Sequence, residues 1–86
     1  MKNKLKQLLW LDGWCGENDM EPNKDDWLSK DKLRIYLENS FDINTKSYSC
    51  ILSVFNEDIL LKQISSQRPE SLLDTLCQIE YDFYHT

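Results

Sequence analysis

Apolar positions fall first at Leu5, Leu8 and Leu9, behind a basic start of Lys2, Lys4 and Lys6. This i, i+3, i+4 spacing predicts a short amphipathic helix over 2–11. Positive charge at the start of a helix opposes its dipole, so a strand through Gln7–Leu11 is the alternative. Gly13, Gly16, Asn18, Pro22 and Asn23 then break any regular pattern, and 12–25 reads as a loop. Structureless loops of about fourteen residues are uncommon unless they serve a function.

Further along, Leu33, Tyr36, Leu37 and Ser40 recur at i, i+3, i+4 and i+7, with Lys30, Arg34 and Glu38 on a separate polar stripe. That pattern predicts a helix from Asp25 or Ser29 to about Ser40. Residues 42–45, Asp-Ile-Asn-Thr, form a turn. The stretch 47–66 supports two readings. Tyr48–Phe55 alternates and is rich in β-branched and aromatic residues, which suits a strand, with Ile59–Ile64 returning as a hairpin through Asn56-Glu57. In the second reading Asn56 caps a helix over 57–65, with Glu57 and Asp58 in its first turn and Ile59, Leu60 and Ile64 on the buried side. The helical reading is preferred for 57–65.

The last element carries the clearest signal. Pro69 suits a first helical position and Glu70 suits the positive end of the dipole. Leu72, Leu76, Ile79 and Phe83 make one stripe, widened by Leu73 and Cys77, which predicts a core-facing helix over 69–84. The expected fold is therefore mainly α. It is a single compact domain over 1–86, a small bundle of three to four helices, with room for a short β-hairpin around 48–64. An α+β arrangement is the alternative.

Composition narrows the function more than the fold. A chain of 86 residues buries only about 60–65% of the surface its unfolded form exposes, which leaves little space for a deep cofactor pocket. Cys15, Cys50 and Cys77 are odd in number and widely separated, which suits small buried apolar residues in a reducing compartment. The run Leu8–Leu11 is too short for a signal core, and Asp12 follows at once. No stretch approaches the roughly 20 apolar residues that span a bilayer. The expectation is a soluble, cytoplasmic protein.

Fifteen acids stand against ten basic residues, for a net charge of -5. Direct nucleic-acid binding is not expected, because phosphate contacts need clustered cations and only Lys2, Lys4 and Lys6 are dense. Catalysis is not expected either. The one imidazole is His85, no serine is framed by glycines, and no glycine-rich loop is present to cradle phosphate. Three scattered cysteines and His85 lack zinc-site spacing. The loop from Asp12 to Glu21 places Trp14 and Gly16 where a calcium loop needs side-chain oxygens. No metal and no cofactor are expected.

What remains is the company the acids keep. Asp12, Glu17, Asp19, Glu21, Asp25 and Asp26 are interleaved with Trp10, Trp14 and Trp27, while Glu80 and Asp82 alternate with Tyr81, Phe83 and Tyr84. Glu70, Asp74, Gln78 and Asp82 follow one another at i, i+4, where like charges are mildly destabilising. Glu80 and Asp82 also sit near the negative end of the helix dipole. Sequences keep such local conflicts where function needs them. Aromatic anchors with carboxylates suit a cationic partner. The expected partner-binding residues are Asp12, Trp14, Glu17, Asp19, Glu21, Asp25, Asp26, Glu80, Asp82 and Tyr84. In the plainer reading Trp10, Trp27 and Phe83 are core and the acids a solvated rim.

The expected function is to bind and neutralise a basic protein, as an immunity protein or inhibitor blocks a nucleic-acid-cleaving toxin or nuclease. Bacterial immunity proteins and small phage inhibitors are similar in size and charge, although no motif identifies a family. The alternative is a non-catalytic adaptor or regulatory subunit of a larger assembly.

Overall fold

A computed structural model describes residues 2–16 and 27–85. The elements are α1 (Lys2–Leu11), β1 (Cys15–Gly16), β2 (Trp27–Lys30), β3 (Leu33–Asp42), β4 (Ser47–Asn56), β5 (Ile59–Ser66) and α2 (Pro69–His85). The five strands form one antiparallel meander in the order β1-β2-β3-β4-β5. The expected helical bundle is therefore wrong, and the α+β alternative is closer. Among the described residues no helix is long and apolar enough to cross a membrane.

The helix expected over 25/29–40 is replaced by β2 and β3 from Trp27 onward; Asp25 and Asp26 lie outside the described residues. Leu33, Ile35 and Leu37 are fully buried, whereas Arg34 and Tyr36 between them and Glu38 after them are not. Leu33 and Leu37 satisfy a helical i, i+4 and a strand i, i+4 equally. Ile35 breaks the tie, because only a period of two puts it on the same face. Pairing then fixes the register, with Ile35 opposite Val54 and Leu37 opposite Leu52.

The helix preferred for 57–65 is likewise corrected to β5. Asn56 does not cap a helix; it ends β4 and pairs with Ile59 across the two-residue loop Glu57-Asp58. Glu57 holds φ at 55°, and Asp31 in the equivalent Asp31-Lys32 loop between β2 and β3 does the same. A left-handed residue in a two-residue loop matches the twist of the flanking strands. The helices at both ends agree with the expected 2–11 and 69–84.

Both helices lie on one face of the sheet. Leu5 and Leu9 from α1 and Leu72 and Leu76 from α2 join Leu28, Leu33, Ile35, Leu37, Cys50, Leu52 and Val54 in a single core, with Ile64, Leu73, Ile79 and Phe83 packed against it. Among the described residues no element covers the opposite face. There Trp27 packs on Tyr36 at 4.7 Å and on Phe55 at 5.4 Å between ring centroids, and the Arg34 guanidinium lies 4.7 Å over the Trp27 ring.

The end of α1 decides where Trp14 goes. The Gly13 N–H donates to the Trp10 carbonyl at 3.1 Å, and the Trp14 N–H donates to the Leu9 carbonyl at 2.9 Å. Gly13 has φ +100°. This is a Schellman cap, in which the residue after the left-handed glycine packs its side chain back on the last turn of the helix. Trp14 follows that rule and joins Leu9 in the core at 0% exposure. A Cβ at position 13 would meet Lys30 Cε at 3.4 Å and would strain the backbone. Gly13→Ala is expected to cost about 1–2 kcal/mol, the penalty of a left-handed non-glycine residue. Urea unfolding monitored by tryptophan fluorescence checks this, and an unchanged midpoint would contradict the cap.

Candidate binding surface where the helix ends meet

The Schellman corner leaves Asp12 exposed at the end of α1, directly beside Lys30 at the end of β2 and Glu80 on α2. Lys30 Nζ lies 3.6 Å from Asp12 Oδ2 and 3.3 Å from Glu80 Oε1. It also lies 5.9 Å from the centroid of the Trp14 ring. Two acids 68 positions apart in the chain thus share one lysine, which β2 delivers by pairing Ser29 with Cys15. Burial alone would lower the Lys30 pKa, but the Glu80 and Asp12 carboxylates outweigh it and hold the ammonium above the ordinary lysine value.

Around this bridge opens a shallow cleft of about 350 Å³, lined by Lys30, Asp31, Cys77, Glu80, Tyr81, Tyr84 and His85. Tyr81 and Tyr84 are largely exposed. The His85 ring stacks on Tyr81 at 4.1 Å, and His85 Nδ1 lies 2.9 Å from the Tyr81 carbonyl oxygen. Tyr84 meets the edge of Phe83 at 4.9 Å. The next turn outward adds Asp82, whose Oδ1 accepts from Gln78 Nε2 at 3.0 Å. At the far end of α2, Glu70 pairs with Lys4 at 3.4 Å. Its own backbone N–H, then Lys4, hold the Glu70 carboxyl below the ordinary value.

Of the expected partner-binding residues, the structure brings Asp12, Glu80 and Tyr84 to one corner, with Asp82 adjacent on the same helix. Trp14 is corrected: it is enclosed in the core and offers a partner no surface. Glu17, Asp19, Glu21, Asp25 and Asp26 lie outside the described residues. Lys30, Tyr81 and His85 were not among the expected residues. The sequence pattern puts Lys30 on the polar stripe of a helix, so nothing local marks it as the link between two acidic segments.

Asp12, Cys77 and Glu80 offer ligand atoms within 4.8 Å of one another. The chemistry of that set is already satisfied, because the Lys30 ammonium sits between the two carboxylates as their counter-ion. Burial first, and then the Asp12 and Glu80 carboxylates, push the Cys77 thiol above its ordinary pKa, which keeps it protonated and weakly nucleophilic. No protein-family model, curated protein or solved structure matches the chain.

Proposed function

We propose that this protein binds a basic protein partner and blocks it, without catalysing a reaction itself. The partner class that fits best is a nucleic-acid-cleaving or nucleic-acid-binding protein, whose working surface is cationic because it must hold phosphate. The observation that carries the reading is the convergence of Asp12 and Glu80 on Lys30. It brings Asp12, the first acid of the 12–26 segment, beside Glu80 and the Tyr81, Asp82 and Tyr84 end of α2, which supports an acidic and aromatic binding surface at that corner. Tyrosines beside carboxylates are suited to meet arginine and lysine. A protonated Cys77 and a His85 stacked on Tyr81 supply no activated nucleophile or positioned base, which favours binding over catalysis.

Electrostatic steering is the signature of such a complex. The on-rate should fall as salt rises past about 0.1 M, where the Debye length is about 10 Å, while the off-rate changes less. The partner is to be captured from the native host and its binding then measured with purified protein. Replacing Glu17, Asp19 and Glu21 by Lys is expected to weaken binding at least tenfold, about 1.4 kcal/mol. The melting temperature serves as the folding control and should barely move. Tyr84→Ala with Asp82→Lys should weaken binding by less. A salt-independent on-rate, or full affinity in both variants, would remove the acidic surface from the interface.

One observation favours the adaptor reading. The β3–β4 hairpin extends beyond the shorter β2, and its tip exposes Phe41, Ile43 and Tyr48, with Phe41 and Tyr48 packed at 4.6 Å. An apolar tip on an acidic protein suits insertion into a larger assembly. Loss of assembly on Phe41→Ser with Tyr48→Ser, and unchanged binding in the variant with Lys at 17, 19 and 21, would select that reading.

A further inference from the structure

The cleft at the end of α2 combines flat walls with an excess of negative charge. Two of its lining rings are largely exposed, Tyr81 at 59% and Tyr84 at 45%. The His85 ring backs Tyr81, 4.1 Å away and within 12° of parallel, so the two make one flat wall. The Tyr84 ring meets the edge of Phe83, which itself packs against the core. Beside these rings, Asp31 and Glu80 line the cleft with Lys30, and Asp12 adjoins Lys30. Three carboxylates thus stand against one ammonium. Lys30 pairs with Asp12 and Glu80, while Asp31 has no ion pair among the described residues. The Glu80 side chain is only 16% exposed, so water and salt screen its charge weakly.

We propose that this cleft is a guanidinium pocket, which takes one arginine side chain of the basic partner. The inference rests on the preceding reading that the partner is basic, and it specifies which cation the corner selects. A carboxylate offers about four acceptor positions, so Glu80 accepts from an incoming guanidinium as well as from Lys30. Asp31 supplies the charge that offsets a second cation in the cleft. The flat walls decide between the two basic side chains. A guanidinium is planar and weakly hydrated, and it stacks on aromatic rings while its N–H groups reach carboxylates in the same plane. An ammonium is a compact, strongly hydrated point charge with no such match. The chain already uses this contact once, where the Arg34 guanidinium lies 4.7 Å over the Trp27 ring. The volume of about 350 Å³ is small for a ligand pocket and suits one side chain rather than an extended ligand. Lys30 restrains the site, because its own charge opposes the arriving cation.

An NMR titration of the full chain with N-acetyl-argininamide tests the proposal, with N-acetyl-lysinamide at the same ionic strength for comparison. The arginine probe should shift the Tyr81 and Tyr84 ring resonances saturably, with a Kd on the order of 1 mM. The lysine probe should bind at least fivefold more weakly. Glu80→Gln and Tyr84→Ala should each weaken the arginine probe at least fivefold, whereas Lys30→Met should tighten it at least threefold. Circular dichroism checks that each variant is folded. Tyr84 is exposed, so its variant decides the matter even if Lys30→Met fails to fold. Equal affinity for the two probes overturns the proposal. So do shifts centred on Glu57 and Asp58 instead of the cleft, parent affinity in folded Tyr84→Ala, or weaker binding in folded Lys30→Met. The probe carries no partner surface, so the two readings fail separately. No arginine preference together with a salt-dependent on-rate for the partner overturns the pocket alone. A retained arginine preference with a salt-independent on-rate overturns the acidic interface and leaves the pocket standing.

Discussion

Trp14→Ala is expected to destabilise the protein by about 3–5 kcal/mol, the range for truncating a buried aromatic side chain. Against a total stability of about 5–15 kcal/mol, this removes a large fraction of what holds the fold together. The residue is the largest fully buried side chain among the described residues. It lies beneath Lys30 and against Leu9, where α1, the sheet and the acidic corner all meet. Trp14→Phe should cost less than Trp14→Ala. It keeps most of the ring packing, and the Trp14 indole N–H, which finds no hydrogen-bond partner among the described residues, is removed with its desolvation penalty. Trp10→Ala, at an exposed position one turn earlier, should stay within about 0.5 kcal/mol of the parent. Urea unfolding followed by circular dichroism separates the three. Equal midpoints for Trp14→Ala and Trp10→Ala would show that the corner does not bury Trp14.

The second large effect is Leu76→Ala, expected to cost about 2–5 kcal/mol. Leu76 and Leu72 are the only fully enclosed side chains of α2, and they are what attach that helix to the sheet. Asp74, between them on the outer face, is the internal control: Asp74→Ala should change stability by no more than about 0.5 kcal/mol. The consequence reaches the candidate surface, because Glu80, Tyr81 and Tyr84 are held in place by the same helix. Leu76→Ala should therefore weaken partner binding as well as lower the melting temperature, while Asp74→Ala lowers neither much. A melting temperature unmoved by Leu76→Ala would mean that α2 meets the sheet through another face.

The sequence by itself determined the two terminal helices, because their signals are local. In α2, Pro69 and Glu70 set the start, and Leu72, Leu76 and Ile79 stay on one side of any helix built from these residues. It also determined that acids and aromatics occur together at both ends of the chain. What it did not determine is everything that depends on pairing across distance. Leu33 and Leu37 fit helical and extended spacing alike, and only Val54 and Leu52 on the neighbouring strand make the extended form the one that buries Ile35. Asn56 is a good helix cap in isolation, but Ile59 opposite it in a ladder makes Glu57-Asp58 a hairpin loop. At the site, the same division holds. Asp12 and Glu80 were legible as acids near aromatics, yet their proximity was not, since it requires the meander to carry Lys30 between them. Trp14 was legible as an aromatic in an acidic loop. Its burial rests on Gly13, whose left-handed backbone turns the chain after α1 and folds the indole back on Leu9. Local spacing is written in neighbouring residues, whereas a sheet and a corner are decided by which distant surfaces exclude water together.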